Sequence, residues 1–241
     1  MTETKNTSIA LEKKGIGKMF DSIAQNYDFL NHFLSLGIDK YWRRECIKKI
    51  GKRGDFPIVV DLATGTGDLS IEIAKRLKPS HIYAFDLSEK MMSIAEEKIK
   101  KLHFENIIET KIGNGEEINL PEEFCHLVSI GFGIRNFQHP EKGLLECHRI
   151  LKQGGKLAIV EFSTPKNRIV SSLVRMYYNH FIPFIGKVFA HNRKAYCYLP
   201  TSIYNFPNGE TFCNMMREAG FKKVSYRSLT FNMVNIYYGE K

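Results

Sequence analysis

At 241 residues, 43% hydrophobic and 25% charged, the chain has the make-up of an ordinary globular protein, which excludes a disordered or fibrous one. A net charge of +9 fits a nucleic-acid partner, an anionic membrane surface or a plain lysine-rich exterior, and composition does not choose among them. The five cysteines (Cys46, Cys125, Cys147, Cys197, Cys213) are scattered singly with no CxxC pair, which argues against a disulfide framework or zinc knuckle and for a reducing, cytoplasmic setting. The polar start, MTETKNTSIALEKKG, lacks the apolar centre of a signal peptide, and no run of about 18 apolar residues follows, so neither secretion nor a membrane span is expected.

In chain order, a polar tail leads into residues 16 to 50. Apolar positions there recur at helical spacing (Met19, Phe20, Ile23, then Leu30, Phe33, Leu34) and a basic helix follows around Trp42 to Ile50, together a helical cap. From Pro57 onward, short β-branched runs alternate with amphipathic helices. The predicted strands are IVVDLA at 58–63, IYAFDL at 82–87, IIETKI at 107–112, LVSIGF at 127–132 and KLAIVEF at 156–162, with helices near 67–78, 88–102 and 141–151. Such alternation predicts a parallel, Rossmann-like sheet covered by helices on both faces. Residues 167 to 190 interrupt it with a long aromatic and basic stretch (Leu173, Val174, Met176, Tyr177, Phe181, Phe184, broken at Pro183), placed as a helical insertion over the carboxyl edge of the sheet. A helix near 209–219 stopped by Gly220, then KVSYRSLTF and VNIYYG on either side of Asn232, predict an antiparallel terminal hairpin that completes seven strands. The expected division is a tail and cap over 1–50 and a sheet domain over 51–241.

The sharpest local motif is Asp61-Leu-Ala-Thr-Gly65-Thr66-Gly67-Asp68, where a buried strand ends and a helix begins. Glycines there permit a tight turn and let a ligand approach the backbone, although a ligand-free turn uses them as well. Asp86 ends the following strand, the position from which a carboxylate accepts both hydroxyls of a ribose. A dinucleotide fingerprint wants a third glycine at position 70, to pack the helix beneath a pyrophosphate; this chain has Ser70. S-Adenosylmethionine carries no phosphate and needs no third glycine, so it fits these residues better than NAD, and Asp61 and Asp68 suit its amino-acid end.

Asn114-Gly115 falls after the third strand, where an adenine lies in an open α/β sheet, and Leu87 and Met91 follow Asp86 at positions flanking such a ring. A plain turn and an apolar helix start explain those residues equally well. Gly131-Phe-Gly-Ile-Arg135-Asn136 ends the fourth strand and faces the reacting centre; an arginine beside a glycine loop there favours an anion-facing role over a surface ion pair. His148-Arg-Ile-Leu-Lys-Gln-Gly154-Gly155 reads as architecture. None of the eight histidines is spaced as a metal site, and no metal is expected.

These residues resemble the demethylmenaquinone and ubiquinone C-methyltransferases (UbiE/MenG). The likeness runs over nearly the whole chain, through MFDSIAQNYDFLNHFLSLGIDKYWRR, DLATGTGDL, GFGIRN, RILKQGGKLAIVEFSTP and AYCYLPTSIYNFP. It implies a class I S-adenosylmethionine-dependent methyltransferase with cofactor contacts at Thr66, Asp86, Asn114 and Gly115, beside Gly65, Gly67 and Asp61. Two departures stand out: Asn114-Gly115 where many members have Asn-Ala, and Gly131 where ubiquinone-type members have serine. The second removes a hydroxyl and leans toward menaquinone-only members.

The implied reaction is methylation of a ring carbon of demethylmenaquinol, with a ubiquinone-pathway benzoquinol as the alternative acceptor. Arginine holds its proton too firmly to act as a base, so Arg135 is assigned to stabilising the quinolate oxygen. The resemblance places Asp68 and Asn136 near the chemistry, Asp68 through a water or Asn136 as an orienting donor, without dividing the work between them. A polyprenylated quinol implies transient contact with a membrane surface by an otherwise cytoplasmic protein, and a homodimer is left open. Neither an Asn/Asp-Pro-Pro-aromatic motif nor a Pro-Cys nucleophile occurs, which counts against a nucleic-acid methyltransferase and a nucleic-acid partner. An NAD-dependent oxidoreductase and a non-catalytic binding module are the remaining alternatives.

Overall fold

The computed structural model describes residues 15–165, 167–177 and 193–241. Three helices open it: α1 (Ile16–Asp21), α2 (Ala24–Leu34) and α3 (Ile38–Ile50). Alternation begins with β1 (Ile58–Leu62), α4 (Asp68–Leu77), β2 (His81–Asp86), α5 (Glu89–Lys101) and β3 (Ile108–Ile112). It continues through β4 (Cys125–Gly131), a single 3-10 turn at Ile134–Asn136, α6 (Pro140–Ile150) and β5 (Leu151–Phe162). The chain closes with α7 (Arg168–Met176), α8 (Arg193–Asn205), α9 (Glu210–Glu218), β6 (Lys222–Leu229) and β7 (Val234–Glu240).

The seven strands form one sheet in the order β3-β2-β1-β4-β5-β7-β6. β1 pairs in parallel with both β2 and β4, and β7 pairs antiparallel with β5 and β6. This is the expected mostly parallel sheet with an antiparallel terminal hairpin. β5 is longer than its sequence pattern predicts: α6 passes straight into it at Leu151, and Gly154 and Gly155 lie inside the strand rather than in a turn before it.

Strand alternation divides the core. Val59, Ile82, Leu127 and Val160 face α3, α4 and α5, packing on Trp42, Ile47, Ile73 and Ile99. Val60, Val128, Ile130 and Ile159 face α6 and α9, packing on Leu144, Cys147, Phe212 and Met216. α3 therefore helps to cover the sheet, whereas Ile23, Ala24, Met91, Val174 and Ile203 make a smaller third cluster joining the first two helices to α5, α7 and α8.

Local chemistry sets the helix ends. Ser88 caps α5 by accepting the N–H of Met91 at 3.2 Å, and Lys98, Lys100 and Lys101 oppose the dipole at its other end. Asn167 caps α7 in the same way, accepting from Ile169 and Val170. The predicted insertion over 167–190 is represented by α7; Phe181, Pro183 and Phe184 lie outside the described residues. No helix among the described residues is long and apolar enough to cross a membrane.

Candidate functional site

The chain fills one side of the sheet from β1 to β3 and then returns to place β4 and β5 on the other. A crevice opens where strand order reverses, outside the carboxyl ends of β1 and β4. A cleft of about 1260 Å³ occupies that place, bounded by the turns after β1, β2, β3 and β4 and roofed by residues of α1, α2 and α3. Pockets for drug-sized ligands span roughly 300–1,000 Å³, so this cleft is larger than one such ligand needs.

Its floor is the glycine turn. Gly65 (φ +58°) and Gly67 (φ +81°) both sit in the left-handed region, where a side chain costs roughly 1–2 kcal/mol. A Cβ on Gly67 would also lie 3.2 Å from the Cβ of Ala95, so α5 packs directly beneath this turn. Asp86 ties the turn to β2: Oδ2 accepts the N–H of Gly65 at 2.8 Å and Oδ1 accepts that of Ser88 at 2.9 Å. A carboxylate offers about four acceptor positions, so two backbone donors leave capacity for ligand hydroxyls. Burial raises its proton affinity, partly offset by those N–H groups and that of Leu87.

The other two predicted carboxylates are engaged differently. Asp61 is wholly buried beneath the turn, with Oδ2 accepting from Thr64 and Ser70 at 2.6 Å each and Oδ1 from Ser129 at 2.5 Å. Burial raises its pKa against those three hydroxyls. Asp68 opens α4 and accepts from Lys98 Nζ at 2.5 Å, with Arg43 Nη2 3.2 Å away. Although burial alone would raise its pKa, those cations hold Asp68 below the ordinary carboxylate range. Lys98 also donates to Asp28 at 2.8 Å, Thr66 Oγ1 donates to Asp28 at 2.5 Å, and Arg43 pairs with Asp39. An ion cage thus ties α2 and α3 to the glycine turn. His32, Asp39 and Asp68 cluster closely enough to resemble metal ligands, and Arg43 pairs with both carboxylates.

Asn114 and Gly115 line the cleft after β3, with Leu87 and Met91 nearby. Leu87 is half exposed, whereas Met91 belongs to the third core cluster. The Gly115 departure has a physical reason: a Cβ there would lie 2.5 Å from the Phe137 ring. Gly143 meets the same ring from behind, where a Cβ would lie 2.4 Å from it. Phe137 occupies the space that an alanine at 115 would need.

Opposite the glycine turn stands Arg135, on the 3-10 turn after β4 and 95% withdrawn from solvent. Its Nη1 donates to Glu161 Oε1 at 2.8 Å and to the carbonyl of Phe132, and its guanidinium stacks 5.2 Å from the centre of the Phe162 ring. Nε is buried without a hydrogen-bond partner, an unmet donor on a residue of the cleft wall. Asn136 Oδ1 accepts from Tyr198 at 3.3 Å. Tyr27 lies between two arginines: burial raises its phenol pKa while the charges of Arg135 and Arg43 pull it back.

All ten residues singled out in the sequence line this cleft or, for Gly67, form the turn beneath it. Tyr27, Asp28, Arg43, Lys98 and Glu161 were missed. Glu161 carried a readable trace, a charge inside the otherwise apolar KLAIVEF; the others acquire meaning through pairings between helices far apart in sequence.

The model of the ubiE/COQ5 methyltransferase family matches residues 6–241. A Chlorobaculum parvum protein named demethylmenaquinone methyltransferase is 38% identical over 248 residues, covering all of both chains. One from Geobacter sp. strain M21, named ubiquinone/menaquinone biosynthesis C-methyltransferase UbiE, is 42% identical over 235 residues, covering 96% of this chain and 99% of its own. Among solved structures, an S-adenosyl-L-methionine-dependent methyltransferase described as putative, from Methanococcus maripaludis, superposes with a TM-score of 0.64 at 24% identity, covering 92% of this chain and 94% of its own. That likeness speaks for the fold.

Proposed function

The chain belongs to the ubiE/COQ5 methyltransferase family, and from that premise we propose how its cleft performs S-adenosylmethionine-dependent C-methylation of demethylmenaquinol to menaquinol. The observation that carries the reading is the pairing, across one cleft, of a glycine turn bound to Asp86 with a buried arginine. The family relatives named for menaquinone and ubiquinone biosynthesis support a quinol acceptor.

When bound, the cofactor supplies a methyl group on a positively charged sulfur, open to attack by an electron-rich carbon. The residues present fit it: Gly65 and Gly67 keep the floor free of side chains, Asp86 retains acceptor capacity for ribose hydroxyls, and Asn114 and Gly115 border the place of the base. Thr66 serves through its place in the turn, since its hydroxyl is given to Asp28. Asp61 braces the turn from below.

Arg135 presents positive charge to the quinol oxygen ortho to the reacting carbon, favouring its deprotonated form; the hydroxyl proton leaves to solvent, and after methyl transfer the proton on the ring carbon passes to the oxygen and restores the quinol. Asn136 orients the ring beside Tyr198. Asp68 is a poor proton acceptor because Lys98 and Arg43 hold its charge, so its part is to fix those cations, and with them α2 and α3, against the cofactor turn. Placing both reactants in near-attack geometry contributes on the order of 7–11 kcal/mol to lowering the barrier.

The acceptor's polyprenyl tail calls for an apolar exit, and α7 offers one beside the cleft. Val170, Val174 and Tyr177 pack inward, while Ile169, Leu173 and Met176 form an exposed outer row flanked by Arg168 and Arg175. This row makes the transient membrane contact. Replacing both arginines by alanine should weaken sedimentation with anionic vesicles; unchanged binding removes this part of the reading. The activity itself is tested by incubating the protein with labelled S-adenosylmethionine and either reduced demethylmenaquinone or its benzoquinol counterpart. Label is expected in the naphthoquinol lipid, and absence of label from both lipids overturns the assignment.

A further inference from the structure

Glu161 is the penultimate residue of β5, a strand held between β4 and β7. Alternation puts its side chain on the same face as Leu157 and Ile159, among the apolar residues that meet α6 and α9, and it is wholly buried. A carboxylate there does not serve the fold well. Replacing a buried ion pair by apolar groups is often neutral or stabilising, because two desolvated charges seldom recover what hydration gave them.

What the carboxylate does is geometric. Oε1 accepts from Arg135 Nη1 at 2.8 Å and from the N–H of Phe162 at 2.8 Å, while Oε2 accepts the backbone N–H of Arg135 at 3.3 Å. One side chain therefore grips Arg135 at both its head and its main chain, and is itself fixed by the backbone of the strand it stands on. The ring of the next residue, Phe162, underlies the guanidinium at 5.2 Å and packs against Phe132 and Trp42. Arg135 is left with few rotamers to explore, and its charge is delivered to the cleft by a clamp of rigid elements rather than by a mobile side chain.

We propose that Glu161 is the positioning residue for Arg135: it fixes the guanidinium at the angle from which it stabilises the acceptor's oxygen, and touches neither reactant. This rests on the reading of Arg135 given above. A residue of this kind affects the transition state more than ground-state binding, because an ill-placed donor loses most where charge is greatest.

Steady-state kinetics with labelled S-adenosylmethionine and reduced demethylmenaquinone, together with the affinity for S-adenosylhomocysteine, test it on E161Q, E161D, R135A and the double variant E161Q/R135A. E161Q should lower kcat at least tenfold while the KM for the quinol and the affinity for S-adenosylhomocysteine stay within about twofold; E161D should recover part of the loss. In the R135A background E161Q should lower kcat no further. Wild-type turnover in E161Q alongside a large loss in R135A overturns the positioning role, as do losses that multiply in the double variant. Wild-type turnover in R135A overturns the reading of Arg135 instead, and with it the premise. Where E161Q melts too low to assay, E161Q/R135M, which leaves no charge buried unpaired, is compared with R135M: equal turnover supports the clamp, and a further tenfold loss contradicts it.

Discussion

The two walls of the cleft are built on different principles. The wall under the glycine turn is mostly backbone: two left-handed glycines, the N–H groups that follow β1 and β2, and one carboxylate, Asp86, bonded to that backbone. The wall around Arg135 is made of side chains, with Arg135 fastened by Glu161 from the end of β5 and backed by the Phe162 ring. A backbone wall suits a ligand that is always the same, since main-chain groups barely move. A side-chain wall can be aimed, which is what stabilising a charge at one atom requires.

If this contrast holds, damage to each wall shows in a different constant. The largest effect is expected from Arg135→Ala: kcat falls roughly 100- to 1,000-fold, the size seen when one donor to a developing oxyanion is lost. Affinity for S-adenosylhomocysteine should stay close to wild type. Equal losses in turnover and cofactor affinity would break the division between the walls.

A smaller effect follows from pH. Burial raises the pKa of Asp86, so it takes up a proton above the ordinary aspartate value of 3.8. Its protonated form is the weaker acceptor, and cofactor affinity should therefore fall on acidification before pH 3.8 is reached. Asp86→Asn should bind weakly at every pH, without that dependence; titrations across pH check both. Asp68 and Asp39 have the opposite sign. Their lowered pKa values mean that the ion cage contributes stability above 3.8, which is lost as pH falls through their folded-state values. Acid should thus loosen the cofactor before it frees the cap.

The smallest effect sharpens one detail of the backbone wall. Gly115→Ala places a Cβ 2.5 Å from the Phe137 ring and should destabilise the protein by about 1–3 kcal/mol through overpacking. Adding Phe137→Leu should recover much of that loss in a thermal melt. A Gly115→Ala protein as stable as wild type would mean that the ring moves freely.

The same contrast explains what could be read in advance. The strand and helix alternation, the hairpin and the glycine turn are local patterns whose physical reasons lie within a few neighbouring residues, and they stand in the structure within a residue or two, apart from the longer β5. Asp86 and Arg135 were legible because strand ends in such sheets converge on one crevice. The fastenings were not. No spacing reveals that Asp28 accepts from Thr66, or that Lys98, in the last turn of α5, reaches Asp68; these pairs exist only once helices have packed. Asp61 and Asp68 look alike in the motif, yet three hydroxyls surround one and two cations hold the other. The difference lies in what the rest of the chain brings to each.

Calorimetric titration of the folded protein with S-adenosylhomocysteine tests the central claim most directly. The account predicts one site per chain in the wild type, with affinity reduced on the order of tenfold to a hundredfold by Asp86→Ala, as expected for hydrogen bonds to a charged group. No uptake by well-folded protein, or undiminished affinity in Asp86→Ala, would contradict it.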